Sequence, residues 1–413
     1  MVLRDKKLIY FFIYWIIYNG LIIRYIFPHP IISLLPDIIV FFLSLKYLLH
    51  KNLHISIIGE GYKPLIITIL ACGIIGSILG NNNIIAFLWG TRVHIRYLLL
   101  FCLLYLYWTP NDILKTKHII QNAFLINIPI VFFQETIQGL YGDSIGGSFI
   151  NNLGITLLII ISLLFYSFDY FSKQITLKKY IIIVGSSFYM SILAEIKFLY
   201  FLIPLIIIGT YTLIKRISFK YIITIILCYF LTIPIITSIL SLYYDDNYVE
   251  GVFNIEKMEE YNNNSYGFME GGFNRGTAIE LTNKVILTTP TLKLFGTGIG
   301  SGSQAVWTNA PSYKKYYNTT FFFFTTSLAL TELGWIGSIA YYCIFLLFLF
   351  NFYKFFKKKR KAIKYWAGLG IMICLITFCL IYYTAGVYTD FYLFYLSFAM
   401  CFISIKYLKN EKY

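Results

Sequence analysis

Arg92 and Arg96 stand four residues apart inside an otherwise apolar run from Ile84 to Trp108. That separation is just over one helical turn, so both guanidinium groups leave the same face. Counted from Ile84, Arg92 lies roughly 12 Å along a helix rising 1.5 Å per residue. No carboxylate lies near them in sequence, so two arginines at that depth need an anion from elsewhere. The planar arginine fork accepts phosphate oxygens two at a time, and a phosphate or pyrophosphate clamp is the favoured reading. The competing one is that the span begins later and both arginines cap it. Glu195 and Lys197 form a second charged pair, at a turn between apolar runs. Either they neutralise each other, an exposed pair worth little, or Lys197 adds a cation on the same outer side as the arginine clamp. Asp37, behind Pro36, is a lone carboxylate in a third apolar run, and an intramembrane carboxylate is a functional candidate by default. Arg24 reads as a snorkelling side chain at a helix end.

The elements that must hold these residues are membrane helices. Mean hydropathy is +0.71; 58% of the 413 residues are hydrophobic and 13% are charged, which excludes a soluble domain. Runs of about 20 apolar residues, each long enough to span a bilayer, predict about twelve helices: 8–27, 31–49, 64–80, 84–108, 119–137, 152–170, 179–195, 197–214, 220–242, 323–352, 363–383 and 389–407. The net charge of +15 does not indicate nucleic acid. With the N-terminus inside, the clusters around Lys46, Lys115 and Lys117, Lys178, Arg216 and Lys357 all fall on the cytoplasmic side, as the positive-inside rule requires. Both termini are then cytoplasmic. All seven cysteines lie in apolar segments, which argues against a disulfide framework, and no Cys/His spacing suggests zinc.

Three parts follow: transmembrane helices 1–9 over 1–242, a large outer loop over 243–322, and transmembrane helices 10–12 over 323–413. The loop carries eight acids and six bases, so the basic character of the chain lies elsewhere. Ile279, Val285 and Ile286 predict a short amphipathic helix over 277–289, ended by Pro290. The glycines Gly296, Gly298, Gly300 and Gly302 follow no strand and open no helix, which excludes a nucleotide fingerprint. They allow the backbone close to a ligand or to a neighbouring helix.

Three stretches carry a resemblance to the bacterial O-antigen polymerase and ligase superfamily, whose members are similar to membrane glycosyltransferases of the GT-C type. Gly147 to Gly154 (GSFINNLG) resembles the family's outer turn. Asn274-Arg275 followed by Pro290 and Phe295 to Gly300 (FGTGIG) resembles its long-loop pattern. Thr331 to Gly337 (TELGWIG) resembles the segment that opens the helix after the loop. Ile279 stands where ligase-like members carry tryptophan, Phe323-Phe324 where they carry His-Asn, and the outer loop 243–322 has no histidine. The polymerase branch is therefore the better fit.

The resemblance implies an all-α, GT-C-like polytopic protein of the bacterial cytoplasmic membrane. Its substrates would be undecaprenyl-pyrophosphate-linked glycans, joined at the outer face with loss of undecaprenyl pyrophosphate. No cofactor or metal is implied, because the donor is already activated; a chain-length regulator is a conceivable partner. By match to the loop arginine, Arg275 takes the catalytic or leaving-group role, with Arg92, Arg96 and Lys197 holding pyrophosphate. Glu195, Glu280 and Glu332 are the candidate bases for the acceptor hydroxyl, and Glu332 also reads as buried structure. The alternatives are a lipid-linked oligosaccharide flippase, against which the outward bias of the charges counts, and an O-antigen ligase, which the missing histidine disfavours.

Overall fold

The computed structural model describes residues 2–50, 61–215, 272–303, 310–358 and 360–410, with scattered positions from 223 to 259. No strand occurs among the described residues. The principal helices are α1 (Val2–Tyr25), α2 (Leu35–His50), α3 (Tyr62–Leu79), α4 (Ile84–Tyr107), α5 (Pro110–Thr136), α6 (Asn152–Phe171), α7 (Leu177–Leu193), α8 (Lys197–Ile214), α9 (Thr325–Phe356), α10 (Lys361–Tyr383) and α11 (Tyr392–Asn410). Each overlaps one of the expected spans. The remaining one, 220–242, and the loop up to Gly271 lie largely outside the described residues. Eight of these helices, α1, α3, α4, α6, α8, α9, α10 and α11, are long and apolar enough to cross a membrane. The chain is an α-helical protein of membrane type. Helix α2, at 16 residues, and α7, at 17, are shorter, and α5 carries Lys115, Lys117, His118 and Gln121 in its first half.

Local chemistry sets the helix starts. The Asn83 side chain accepts the Ala86 N–H at 2.7 Å, Asn151 that of Gly154 at 3.3 Å and Thr176 that of Lys179 at 3.4 Å, each satisfying an otherwise orphaned first-turn donor. At α5, Asp112 accepts the Thr109 N–H at 2.9 Å and Pro110 fits the first helical position.

Packing then decides the arrangement. Helix α9 lies against α10 and α3, α11 against α10 and α4, and α6 against α8 and α5. Between helices in lipid there is little hydrophobic drive, so close van der Waals fit and small residues hold the bundle. Gly337 of α9 illustrates this: an added Cβ would stand 3.1 Å from the Cβ of Cys72 on α3. A ladder of rings, Phe345, Phe348 and Phe352 against Phe398 and Phe402, joins α9 to α11, with Phe352 and Phe402 centroids 4.4 Å apart.

The loop is wedged into the bundle. Helix α9 is broken at Gly334, whose φ of 62° belongs to the left-handed region. The carbonyls of Thr331 and Glu332 at this break accept the N–H groups of Thr297 at 2.7 Å and Gly298 at 3.1 Å. Gly298 has φ 99°, and a Cβ there would collide with Ser77 of α3. Of the two partners expected for the glycine series, the observed one is a neighbouring helix. The amphipathic stretch is shorter than expected: an α turn over Ala278–Leu281 passes directly into a π turn over Thr282–Ile286.

Candidate functional site

The turns before α2, α6, α8, α9 and α11 meet around one cavity of about 790 Å³. Arg92 and Arg96 from α4, Asp37 from α2, Asp390 from the turn before α11, and Arg275 from the loop all line it.

The anion that the two α4 arginines require is supplied by the chain itself. Asp37 forms ion pairs with Arg92 and, at 3.2 Å, with Arg96, and it accepts the Tyr392 hydroxyl. The expectation that the anion comes from outside therefore changes: a carboxylate distant in sequence already bridges the pair. Asp37 is buried, and a carboxylate so placed needs such partners. The guanidinium groups are also set by rings. Arg92 Cζ lies 3.8 Å from the Trp89 ring centroid, and Arg96 Cζ lies 4.8 and 4.9 Å from those of Tyr97 and Tyr392. Arg96 Nη2 donates to the Tyr97 hydroxyl at 2.8 Å and to the Thr389 carbonyl. The Nε atoms of both arginines are buried without a hydrogen-bond partner among the described residues.

Arg275 reaches the cavity from a fixed base. Phe273 is fully buried and its N–H donates to the Thr319 carbonyl at 2.7 Å; buried Asn274 accepts the Arg275 N–H, also at 2.7 Å. The guanidinium Nε donates to the Tyr383 carbonyl at 3.1 Å, with Cζ 4.6 Å from the Tyr383 ring centroid and 5.9 Å from that of Phe324. Phe323 and Phe324, noted in the sequence for what they replace, line the same wall.

The three candidate bases fall in three different places. Glu332 is completely buried and accepts from Gly302 N–H at 3.1 Å, Ser303 Oγ at 2.8 Å and the Tyr388 hydroxyl at 3.0 Å. Its carboxylate ties the glycine-rich loop to α9. His94, between the arginines in sequence but on the opposite side of α4, stacks edge-on against Tyr388 with centroids 4.4 Å apart. Glu280 is exposed, off the cavity wall, and pairs with Lys284 at 2.5 Å one turn on, which holds its carboxyl below the ordinary value. Glu195 has a left-handed φ of 55° and packs against Gly142. Lys197 is within electrostatic reach of Glu195 and Arg275, while Ile196 between them is the residue that lines the cavity.

Sequence reading missed Asp390. Its signal was an aspartate at the start of the last apolar run, weak on its own because helix ends commonly carry charge. It also misplaced Lys117, which is not in a loop: it is buried in α5 and ion-paired at 2.5 Å with Asp169 of α6. Arg24 donates to the Ile150 carbonyl at 2.6 Å, fixing the outer turn rather than snorkelling. Gln134 and Asn127 hold that turn from inside, through both backbone groups of Gly147 and the N–H of Ser148.

Among the described residues no three His, Cys, Asp or Glu side chains converge as metal ligands would. Three fixed arginines around a recessed cavity can receive a multiply charged anion, and the flanking aromatic faces can take the apolar faces of a ring-shaped substrate. No family model matches the chain, and no curated protein and no solved structure matches it.

Proposed function

We propose that the chain is a membrane glycosyltransferase that polymerises lipid-pyrophosphate-linked glycan repeat units, of the kind that makes O-antigen or capsular polysaccharide. The observation that carries this reading is the convergence of Arg92, Arg96 and Arg275 on one cavity beside Trp89, Tyr383, Tyr392 and Phe324. Its volume falls within the range of about 300–1,000 Å³ common to small-molecule sites. In the proposed topology about twelve helices span the cytoplasmic membrane, both termini are cytoplasmic, and the cavity opens outward.

In the reaction, a sugar hydroxyl of one lipid-linked unit forms a bond to the anomeric carbon of the other. The bond from that carbon to the pyrophosphate oxygen breaks, and its electron pair stays on the departing undecaprenyl pyrophosphate. Charge therefore develops on the pyrophosphate. Arginines already held by Tyr383, Trp89 and Tyr97 stabilise it without reorganising, the most effective form of electrostatic catalysis. Arg92 and Arg96 bind the pyrophosphate, and Arg275 meets the leaving oxygen. Asp37 keeps the pair in place before substrate arrives.

The test is the polysaccharide ladder from a strain lacking the gene, beside one carrying Arg275→Ala. Both are expected to collapse to a single-repeat band, with the variant protein still present in the membrane. Loss of every glycan-bearing band would point to transport or ligation instead. An intact ladder in the deletion strain would remove the reading.

A further inference from the structure

A hydroxyl that attacks an anomeric carbon has to lose its proton, and the arginines of the cavity cannot take it. We infer that Asp390 is the general base of the proposed transfer, the group that receives the acceptor hydroxyl's proton. This rests on the polymerase reading and adds a catalytic residue to it.

A general base has to be a carboxylate that can reach the substrate. Glu332 is enclosed and accepts from three donors, and Glu280 stands off the cavity beside Lys284. Asp37 does line the cavity, but both of its oxygens are engaged by Arg92, Arg96 and Tyr392. Asp143, also on the wall, accepts the Asn152 side-chain amide. Asp390 differs from all of them. It lines the cavity, its side chain is exposed there, and among the described residues its carboxyl accepts no hydrogen bond.

Its backbone is nevertheless fixed on both sides. The preceding carbonyl, of Thr389, accepts from Arg96, and the following N–H, of fully buried Phe391, donates to the Tyr97 hydroxyl at 2.9 Å. The Asp390 N–H itself donates to the Gly386 carbonyl at 2.8 Å. A carboxylate with open lone pairs on a backbone clamped to the arginine helix is preorganised for proton transfer. The same two α4 residues, Arg96 and Tyr97, thus set the distance between the anion site and the base.

The proton passes from the acceptor hydroxyl to Asp390 as the oxygen's electron pair forms the bond to the anomeric carbon. The leaving pair goes to pyrophosphate, and Asp390 later releases its proton to water in the cavity. No further reactant is needed.

The experiment pairs two measurements on Asp390→Asn. Membrane vesicles carrying the strain's own lipid-linked repeat units are assayed for chain extension, and protein in nanodiscs is titrated with undecaprenyl pyrophosphate. Extension is expected to fall by about 100-fold or more, the usual worth of a general base. Affinity for undecaprenyl pyrophosphate is expected to stay within about threefold of wild type, because the asparagine keeps the shape and the arginines are untouched. Asp390→Glu should recover part of the rate. Extension at the wild-type rate in Asp390→Asn would overturn the assignment. So would a loss of affinity as large as the loss of extension, which would make Asp390 a structural support. A wild-type protein that neither binds undecaprenyl pyrophosphate nor lengthens glycan would remove the polymerase reading itself, and the role of Asp390 with it.

Discussion

Two of the charge clusters between helices, among the described residues, are built to opposite ends. Lys117 and Asp169 form a closed set: the ammonium donates to Asp169 at 2.5 Å and to the Tyr365 hydroxyl at 3.0 Å, while Gln121 at 3.1 Å and Tyr365 at 2.8 Å complete the carboxylate. Both charged side chains are buried and neither lines the cavity described above. The other cluster, Asp37 with Arg92 and Arg96, borders about 790 Å³ of open space and leaves both arginine Nε atoms without a hydrogen bond. Burial of an ion pair is thus no guide to function. What separates the two is saturation: a cluster that answers every one of its own hydrogen-bonding groups has nothing left for a ligand.

Breaking the closed cluster should have the largest effect on the protein itself. Asp169→Ala leaves the Lys117 ammonium buried without its counter-ion, and the expected loss is about 3–5 kcal/mol of stability. Thermal unfolding in detergent and the yield of inserted protein would measure it. Joint replacement by Lys117→Met and Asp169→Leu should recover most of that loss, since neither charge is then stranded. Failure of the double variant to recover would show that the cluster does more than satisfy itself.

Breaking the open cluster should act on activity first. Arg92→Ala is expected to reduce chain extension by about 100- to 1,000-fold, as loss of one preorganised donor does. Undecaprenyl pyrophosphate should bind more weakly, while the yield of inserted protein stays near wild type because Arg96 and Tyr392 still engage Asp37. A drop in yield matching that of Asp169→Ala would erase the distinction between the clusters. The smallest effect belongs to Glu280→Gln. Its carboxylate is fully solvated and, among the described residues, pairs only with Lys284, so extension and thermal stability should both equal those of wild type. A tenfold loss of extension would return Glu280 to the site.

The glycine-rich loop shows how motif and meaning part company. Its spacing announces close approach, but not to what. Gly298 and Gly300 lie against Ser77 of α3 and Ala86 of α4, and the break at Gly334 opens the α9 carbonyls that Thr297 and Gly298 use. Glu332, attractive in the sequence as a carboxylate beside a glycine motif, belongs to this support.

The sequence by itself determined the membrane class, the helix positions and the residues that carry charge within apolar runs. These are local properties. A bilayer requires about 20 apolar residues per spanning helix and every backbone group paired within it, and caps such as Asn83 act within one turn. Only the tertiary structure decided which charges meet. Asp37 reaches Arg92 and Arg96 across 55 and 59 residues, and Arg275 reaches the Tyr383 carbonyl across 108. Asp390 faces the cavity because α4 clamps the backbone on either side of it. Such pairings follow from how helices pack against one another. A single chain's hydropathy and helical period, which record each segment's relation to lipid and water, carry no information about that.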